Sequence, residues 1–259
     1  MIHHEVVDGL VPESVFFIHG NLASNRWWYP AQEFWEKHAA GKNYSGSLIY
    51  AEFRGCGKSA APKDSSEVDM HLFAEDFIAL LKKLNKGPYH LVGHSTGGLI
   101  AALMLSKAPT LFKKAVLLDP VGAQGVTFDA SMITAFEQMK QDRALTAAVI
   151  GSTIHNNNPQ SQYFQEVVVA DAYKAVQTIG HWVLKVLDGL DVREDLRSVE
   201  HEVLVLHGEH DKLLSEGDSQ ALAALFSRGK FAQIPDLGHC PNIENPETFV
   251  NITRSYLFW

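Results

Sequence analysis

Three residues far apart in the chain are of the types that together make an activated nucleophile: Ser95, Asp211 and His239. Ser95 stands in LVGHSTGGLI, where Gly93-His94-Ser95-Thr96-Gly97 fits the pattern G-x-S-x-G. A serine hydroxyl is a poor nucleophile unless a base takes its proton and an acid holds that base. His239 in PDLGHCPNIENPE supplies the base and Asp211 in VLVLHGEHD the acid, in the chain order serine, acid, histidine. The chemistry of such a set is acyl transfer. His239 accepts the Ser95 proton, Ser95 attacks a carbonyl, and Asp211 orients His239 and stabilises the imidazolium as it forms. The developing oxyanion needs N–H donors, which Thr96 and Asn21, the latter in His19-Gly20-Asn21-Leu22, are placed to offer. Losing one such donor costs roughly 3 kcal/mol of transition-state stabilisation.

These groups converge only if the backbone delivers them to one place. Glycine is costly inside a helix or strand, so the glycines around Ser95 mark a sharp, strained turn from strand to helix that lifts the serine above its strand's carboxyl end. Six apolar runs read as strands: VFFIHG from Val15, SLIYAEF from Ser47, YHLVGHS from Tyr89, KAVLLDP from Lys114, EVLVLHGEHD from Glu202 and KFAQIPD from Lys230. They are runs rather than alternations, as in parallel strands buried on both faces. Asn21, Ser95, Asp211 and His239 each follow the end of one of them. Between the runs lie helical patterns: Phe73, Phe77, Leu80, Leu81 and Leu84 share a face, Leu99 to Ala108 is apolar almost all round, and a last helix begins at Pro246. Strands alternating with helices predict an α/β fold with a doubly wound, mostly parallel sheet.

The rhythm breaks between the fourth and fifth runs. Amphipathic patterns over 131–149 and 165–187, punctuated by HNNNPQSQ at 155–162, predict a helical insertion. The expected division is 1–122 and 199–259 for the core and 123–198 for the insertion.

FFIHGN, FRGCGKS, LVGHSTGG, VLVLHGEHD and LGHCPNIENPE resemble, in order and spacing, the α/β-hydrolase superfamily in its compact, capped, esterase-like branch. The resemblance spans the chain except for 123–198. It implies that this segment is a cap domain and that the protein is a serine hydrolase of carboxylic esters or related acyl compounds, needing no cofactor and no metal. Lactone hydrolysis, C–C cleavage of meta-cleavage products and a non-turnover ligand receptor use the same fold and remain alternatives. Dehalogenases and epoxide hydrolases are disfavoured, because they carry aspartate where Ser95 stands. Some relatives place the acid where Asp119 lies, yet the G-x-x-D turn at Gly208 to Asp211 favours Asp211. Two positions depart from the family pattern. Only 18 residues precede His19, so the usual first antiparallel strands are expected to be short or partly absent, and Glu52 stands where aspartate is common.

Other reactive-looking residues have plainer readings. His94 and His19 are expected to pack and hydrogen-bond rather than react, and Cys56 and Cys240 to be small packing residues. Trp27 or Trp28 is placed to wall the pocket, and Phe136, Met139, Ile154 and Trp182 to form cap core or an apolar lid. Thirteen histidines include no HExxH and no paired Cys/His spacing for zinc. The chain has 46% hydrophobic and 20% charged residues and a formal charge of −8, which argues against nucleic acid and anionic membrane as partners. With no signal-like start and only two cysteines, a cytoplasmic protein acting on a small, largely hydrophobic acyl substrate is expected. No feature of the sequence decides between monomer and dimer.

Overall fold

Val15 and Phe17 on one side and Phe16 and Ile18 on the other, all essentially buried, show why an apolar run and not an alternation marks this kind of strand. The computed structural model describes residues 1–39 and 46–259. Its seven strands are β1 His4–Val7, β2 Val11–Ile18, β3 Gly46–Ala51, β4 Tyr89–His94, β5 Phe112–Leu118, β6 Glu202–Gly208 and β7 Arg228–Ile234. They form one sheet in the order β1-β3-β2-β4-β5-β6-β7. Every neighbouring pair is parallel except β1 with β3. All six runs are therefore strands, and the residues before β2 add one antiparallel edge strand. β1 went unread because HEVV is only half-buried along its length and lacks the apolar density of the others.

The helices are α1 Tyr29–Ala39, α2 Met70–Leu84, α3 Thr96–Lys107, α4 Ala130–Met139, α5 Arg143–Ser152, α6 Val169–Ala175, α7 His181–Leu187, α8 Arg193–Leu196, α9 Glu216–Leu225, α10 Pro241–Glu244 and α11 Pro246–Phe258. α1 packs on α11 on one face of the sheet, and α2 on α3 on the other. α3 is buried from Thr96 to Leu105, in keeping with its all-round apolar sequence. The Asp69 side chain accepts from Leu72 N to start α2, and Asn85 ends it in the left-handed region at φ 49°, two residues before the expected Gly87-Pro88 stop. No helix among the described residues is long and apolar enough to cross a membrane.

Between β5 and β6 the described elements are helices alone, α4 to α8. The pattern over 131–149 is two helices rather than one, because the Asp142 side chain accepts from Leu145 N and starts α5 afresh. Residues 164–187 wind continuously through α6 and α7 with wider π turns at Phe164–Val168 and Val176–Gly180. The two ends of this segment are tied together at its base, where Val192 N donates to Ala123 O at 2.8 Å and Val126 N to Leu187 O at 3.1 Å.

Candidate active site

Strand order reverses beside β2: the chain leaves it for β3 on one side and returns through β4 on the other. The crevice at the carboxyl ends of such diverging strands is where open α/β sheets bind ligands. The loop after β2 and the turn after β4 meet there.

That turn is built by close approach. Ser95 sits at φ 54°, ψ −121°, a conformation L-residues rarely adopt. It is held there by Ser95 N donating to Leu118 O at 2.9 Å and Val121 N donating to Ser95 O at 3.1 Å. A Cβ on Gly93 would lie 2.3 Å from Gly97 O, and one on Gly97 would lie 2.4 Å from both Ile18 O and His19 O. Only glycine permits these contacts. The Ser95 hydroxyl is not spent on capping α3, and the residue lines a cavity of about 200 Å³.

His239 lines the same cavity. Its Nδ1 meets Asp211 Oδ2 at 2.7 Å, with both side chains almost wholly buried. Asp211 is placed by the turn after β6, where Asp211 N donates to Gly208 O at 3.0 Å and His210 N to Leu237 O at 2.8 Å. Its Oδ1 accepts from Leu213 N at 2.7 Å and Leu214 N at 3.1 Å. Burial works hardest against its charge, yet the His239 ring and these N–H groups outweigh it and hold the carboxyl below the ordinary aspartate range. The loop carrying His239 is itself clamped, because the Glu244 carboxylate accepts from Gly238 N at 2.6 Å and Cys240 N at 3.0 Å.

Asn21 and Thr96 also line the cavity. Thr96 opens α3, whose first N–H groups have no partner within the helix. The Asn21 side chain is committed elsewhere, accepting from Leu22 N at 3.0 Å and donating to Gly180 O at 3.1 Å. The second π turn thus rests on this loop, and Gly180 is pressed so closely that a Cβ there would lie 2.3 Å from Leu22 Cδ2.

His94 Nε2 meets His239 O at 2.8 Å. Burial first, then the neighbouring His239 ring, depresses its pKa to about 3, so the ring is neutral and serves as a strut. Burial likewise takes His19 down to about 4, with Nδ1 2.7 Å from Gly20 O and the ring stacked on Phe53. Burial pushes the Cys56 and Cys240 thiols well up, so neither is a thiolate; Cys240 does line the cavity. The longer Glu52 carboxylate accepts from Asn25 N at 3.2 Å and Lys58 N at 2.6 Å, stapling the RGCGKS turn to the loop after β2.

The rest of the cavity wall is largely apolar and comes mostly from the insertion, including Phe128, Met132, Phe136, Ile150 and Leu187. Trp27 forms wall while Trp28 packs on Phe17 and Phe249. Met139, Ile154 and Trp182 do not reach the cavity; the first two are buried within the insertion itself. Lys212 and Leu213, which sequence reading passed over, line it because they follow Asp211 on the same turn. Among the described residues, two groups of side chains bring three potential metal-ligating atoms within 4.8 Å of one another: Asp119 with Asp211 and His239, and Glu209 with His210 and Asp236. In the first, the ring nitrogen of His239 that faces the acids is taken up by Asp211; the second is a surface cluster.

Residues 15–252 match the sequence profile described as the Alpha/beta hydrolase family. A pyrrolizixenacetamide deacetylase from Xenorhabdus hominickii is 24% identical over 219 residues, 82% of this chain and 80% of that protein. Protein ABHD8 from Bos taurus is 22% identical over 250 residues, and the chain spans 56% of that longer protein. Among solved structures, an esterase from Exiguobacterium antarcticum superposes with a TM-score of 0.81 at 20% identity, covering 99% of this chain and 95% of the other. That likeness is one of fold.

Proposed function

The chain belongs to the alpha/beta hydrolase family, and we propose that within it the protein is a serine hydrolase of carboxylic esters and related small acyl compounds. The observation that carries this reading is the buried His239–Asp211 pair opening onto the same apolar cavity as the strained Ser95. In the first half-reaction His239 takes the Ser95 proton as Oγ attacks the carbonyl carbon. The negative oxygen lies between the N–H groups of Asn21 and Thr96, and the leaving group receives the proton from His239. Water, deprotonated by the same histidine, then attacks the acyl carbon, and His239 returns that proton to Ser95 Oγ as the acid leaves. Asp211 stays ionised throughout and supports the imidazolium. Every group in this sequence of steps belongs to the protein.

The wall residues set the substrate class. An apolar cavity of about 200 Å³ suits a small hydrophobic acyl group, and residues 123–198 act as the cap that closes over it. The similarity to a deacetylase supports acyl transfer to water as the reaction class.

Steady-state hydrolysis of p-nitrophenyl esters from acetate to dodecanoate, with Ser95→Ala beside the native protein, tests the reading. Turnover peaking at one chain length and abolished in Ser95→Ala is expected. Labelling of Ser95 by a fluorophosphonate without turnover of any ester would overturn the esterase assignment and turn attention to lactones.

A further inference from the structure

A second aspartate sits against the acid of the triad. Asp119 follows β5 directly, has no exposed surface, and holds φ at 40°, where an L-residue is strained. Its Oδ1 accepts from Gly208 N at 2.8 Å. Its Oδ2 is buried and finds no donor among the described residues, and an oxygen of the carboxyl lies within 4.8 Å of one on Asp211; burial first, then the charge of Asp211 beside it, pushes the Asp119 carboxyl well above the ordinary aspartate range. An ionised Asp119 would be a buried charge with one hydrogen bond beside a second negative charge, which is strongly unfavourable.

The groups around Asp119 offer no remedy for such a charge. They are Asp211 and His239 from the loops after β6 and β7, His207 on β6, and Cys240 and Glu244 at the two ends of α10. None is a lysine or arginine. His207 Nδ1 is 3.5 Å from Asp119 Oδ1 and closer, at 3.1 Å, to Ser219 Oγ; burial keeps that ring neutral. Glu244 adds further negative charge, spread over backbone N–H groups. Of the two aspartates, Asp211 accepts from His239 Nδ1, Leu213 N and Leu214 N, whereas Asp119 accepts from Gly208 N alone. A proton shared between them therefore resides on Asp119.

We propose that Asp119 is a positioning residue, kept as a neutral carboxylic acid that donates its proton to the Asp211 carboxylate and so fixes Asp211 against His239. This rests on Asp211 being the acid of the site. The donated hydrogen bond satisfies the orphaned Oδ2, draws off part of the Asp211 charge, and holds that carboxylate facing His239.

Two measurements test the proposal. Infrared difference spectra of the native protein against Asp119→Asn at neutral pH should show a carboxylic-acid C=O band that shifts in D2O and belongs to Asp119. Absence of that band overturns the proposal whether or not the protein hydrolyses esters. The second measurement is the pH profile of Ser95 labelling by a fluorophosphonate, which needs no knowledge of the substrate. Asn keeps both the acceptor and the donor, so Asp119→Asn should label within about tenfold of the native rate, a change of no more than ~1.4 kcal/mol, with the acid limb unmoved. Asp119→Ala should label about 10- to 100-fold more slowly, with the acid limb displaced to higher pH, because an unshared Asp211 charge holds the imidazolium more firmly. A limb displaced to lower pH in both variants would mean that Asp119 was ionised, and a slower Asp119→Ala with an unmoved limb would reduce it to a packing role; either overturns the proposal. If Asp119→Ala does not fold, the Asn profile and the infrared band decide. Failure of the native protein to label would overturn the triad, while the band would still report whether Asp119 is protonated.

Discussion

Gly97→Ala should damage both stability and labelling, although the position lies in a helix. In an unobstructed helix interior the change would gain about 1 kcal/mol. Here the new Cβ would stand 2.4 Å from two backbone oxygens, Ile18 O and His19 O. Neither is a flexible side-chain end, so α3 and the end of β2 must separate by roughly 1 Å to reach ordinary contact. Overpacking of this kind costs about 1–3 kcal/mol per site. With two unyielding contacts at one position, the net loss after the helix gain is about 2 kcal/mol. For a chain of this size that lowers Tm by about 4–8 °C. The same displacement moves Asn21, two residues beyond His19, away from Ser95, and a 1 Å misplacement costs on the order of 100-fold in rate. Thermal melts and the fluorophosphonate labelling rate of Ser95 check both figures. Gly189→Ala is the control: its φ of 76° makes alanine strained, but nothing lies within 4 Å of the added carbon. It should lose stability and keep its labelling rate. Native Tm and native labelling in Gly97→Ala would refute the claim that this contact sets the spacing of the elbow and the oxyanion loop.

The two aspartates have opposite linkage to pH. Asp211 has a depressed pKa in the folded protein, so its contribution is present above the unfolded aspartate range and lost as pH falls through the folded value; urea midpoints of Asp211→Asn should therefore fall less than native ones between about pH 5 and pH 2. Asp119 has a raised pKa, so the folded state holds a proton the unfolded chain releases, and native stability declines with rising pH on its account. Asp119→Asn should then be more stable than native near pH 7 and similar to it near about pH 3, by the same urea midpoints. Asp171 is 6% exposed, pairs closely with Arg26 and accepts from Ser24 Oγ at 2.6 Å, tying α6 to the loop after β2. Because Arg26 is 37% exposed and can rehydrate, Asp171→Ala should cost about 1–3 kcal/mol, read as a lower Tm. Phe136→Ala opens the apolar wall, and the ester chain length of fastest hydrolysis should move upward; an unchanged profile would place the acyl group elsewhere in the cavity.

What the sequence made legible was whatever the backbone alone demands. A parallel strand buried on both faces must be an apolar run, and a serine at φ 54° with carbonyls 2.4 Å from a neighbouring position must be flanked by glycine. Both requirements are written locally, within a few residues. β1 was not, because a half-buried edge strand needs no such composition. Neither was the cavity wall: whether Phe136 or Met139 faces the site depends on how α4 packs across residues far away in sequence, and both positions satisfy the same helical period. The break at Asp142 was overlooked because a cap inside a continuous amphipathic pattern leaves the periodicity almost intact.

The choice between Asp119 and Asp211 shows where local reading reaches its limit. Both follow the last residues of neighbouring parallel strands, and both bear the same functional group. Asp119 comes straight off β5, and its carboxyl accepts from Gly208 N at 2.8 Å rather than from the histidine. Asp211 is carried three residues past β6 by a turn closed on Gly208 O, far enough to meet a ring delivered from the loop after β7. The difference is therefore one of reach, set by turn length on two strands and by a third loop that arrives from elsewhere. The G-x-x-D spacing encodes that turn, and so the carboxylate that meets His239 is legible in the sequence. That the shorter-reaching aspartate still brings an oxygen within 4.8 Å of its neighbour's is visible only once β5 and β6 stand side by side, at the registered distance of adjacent strands.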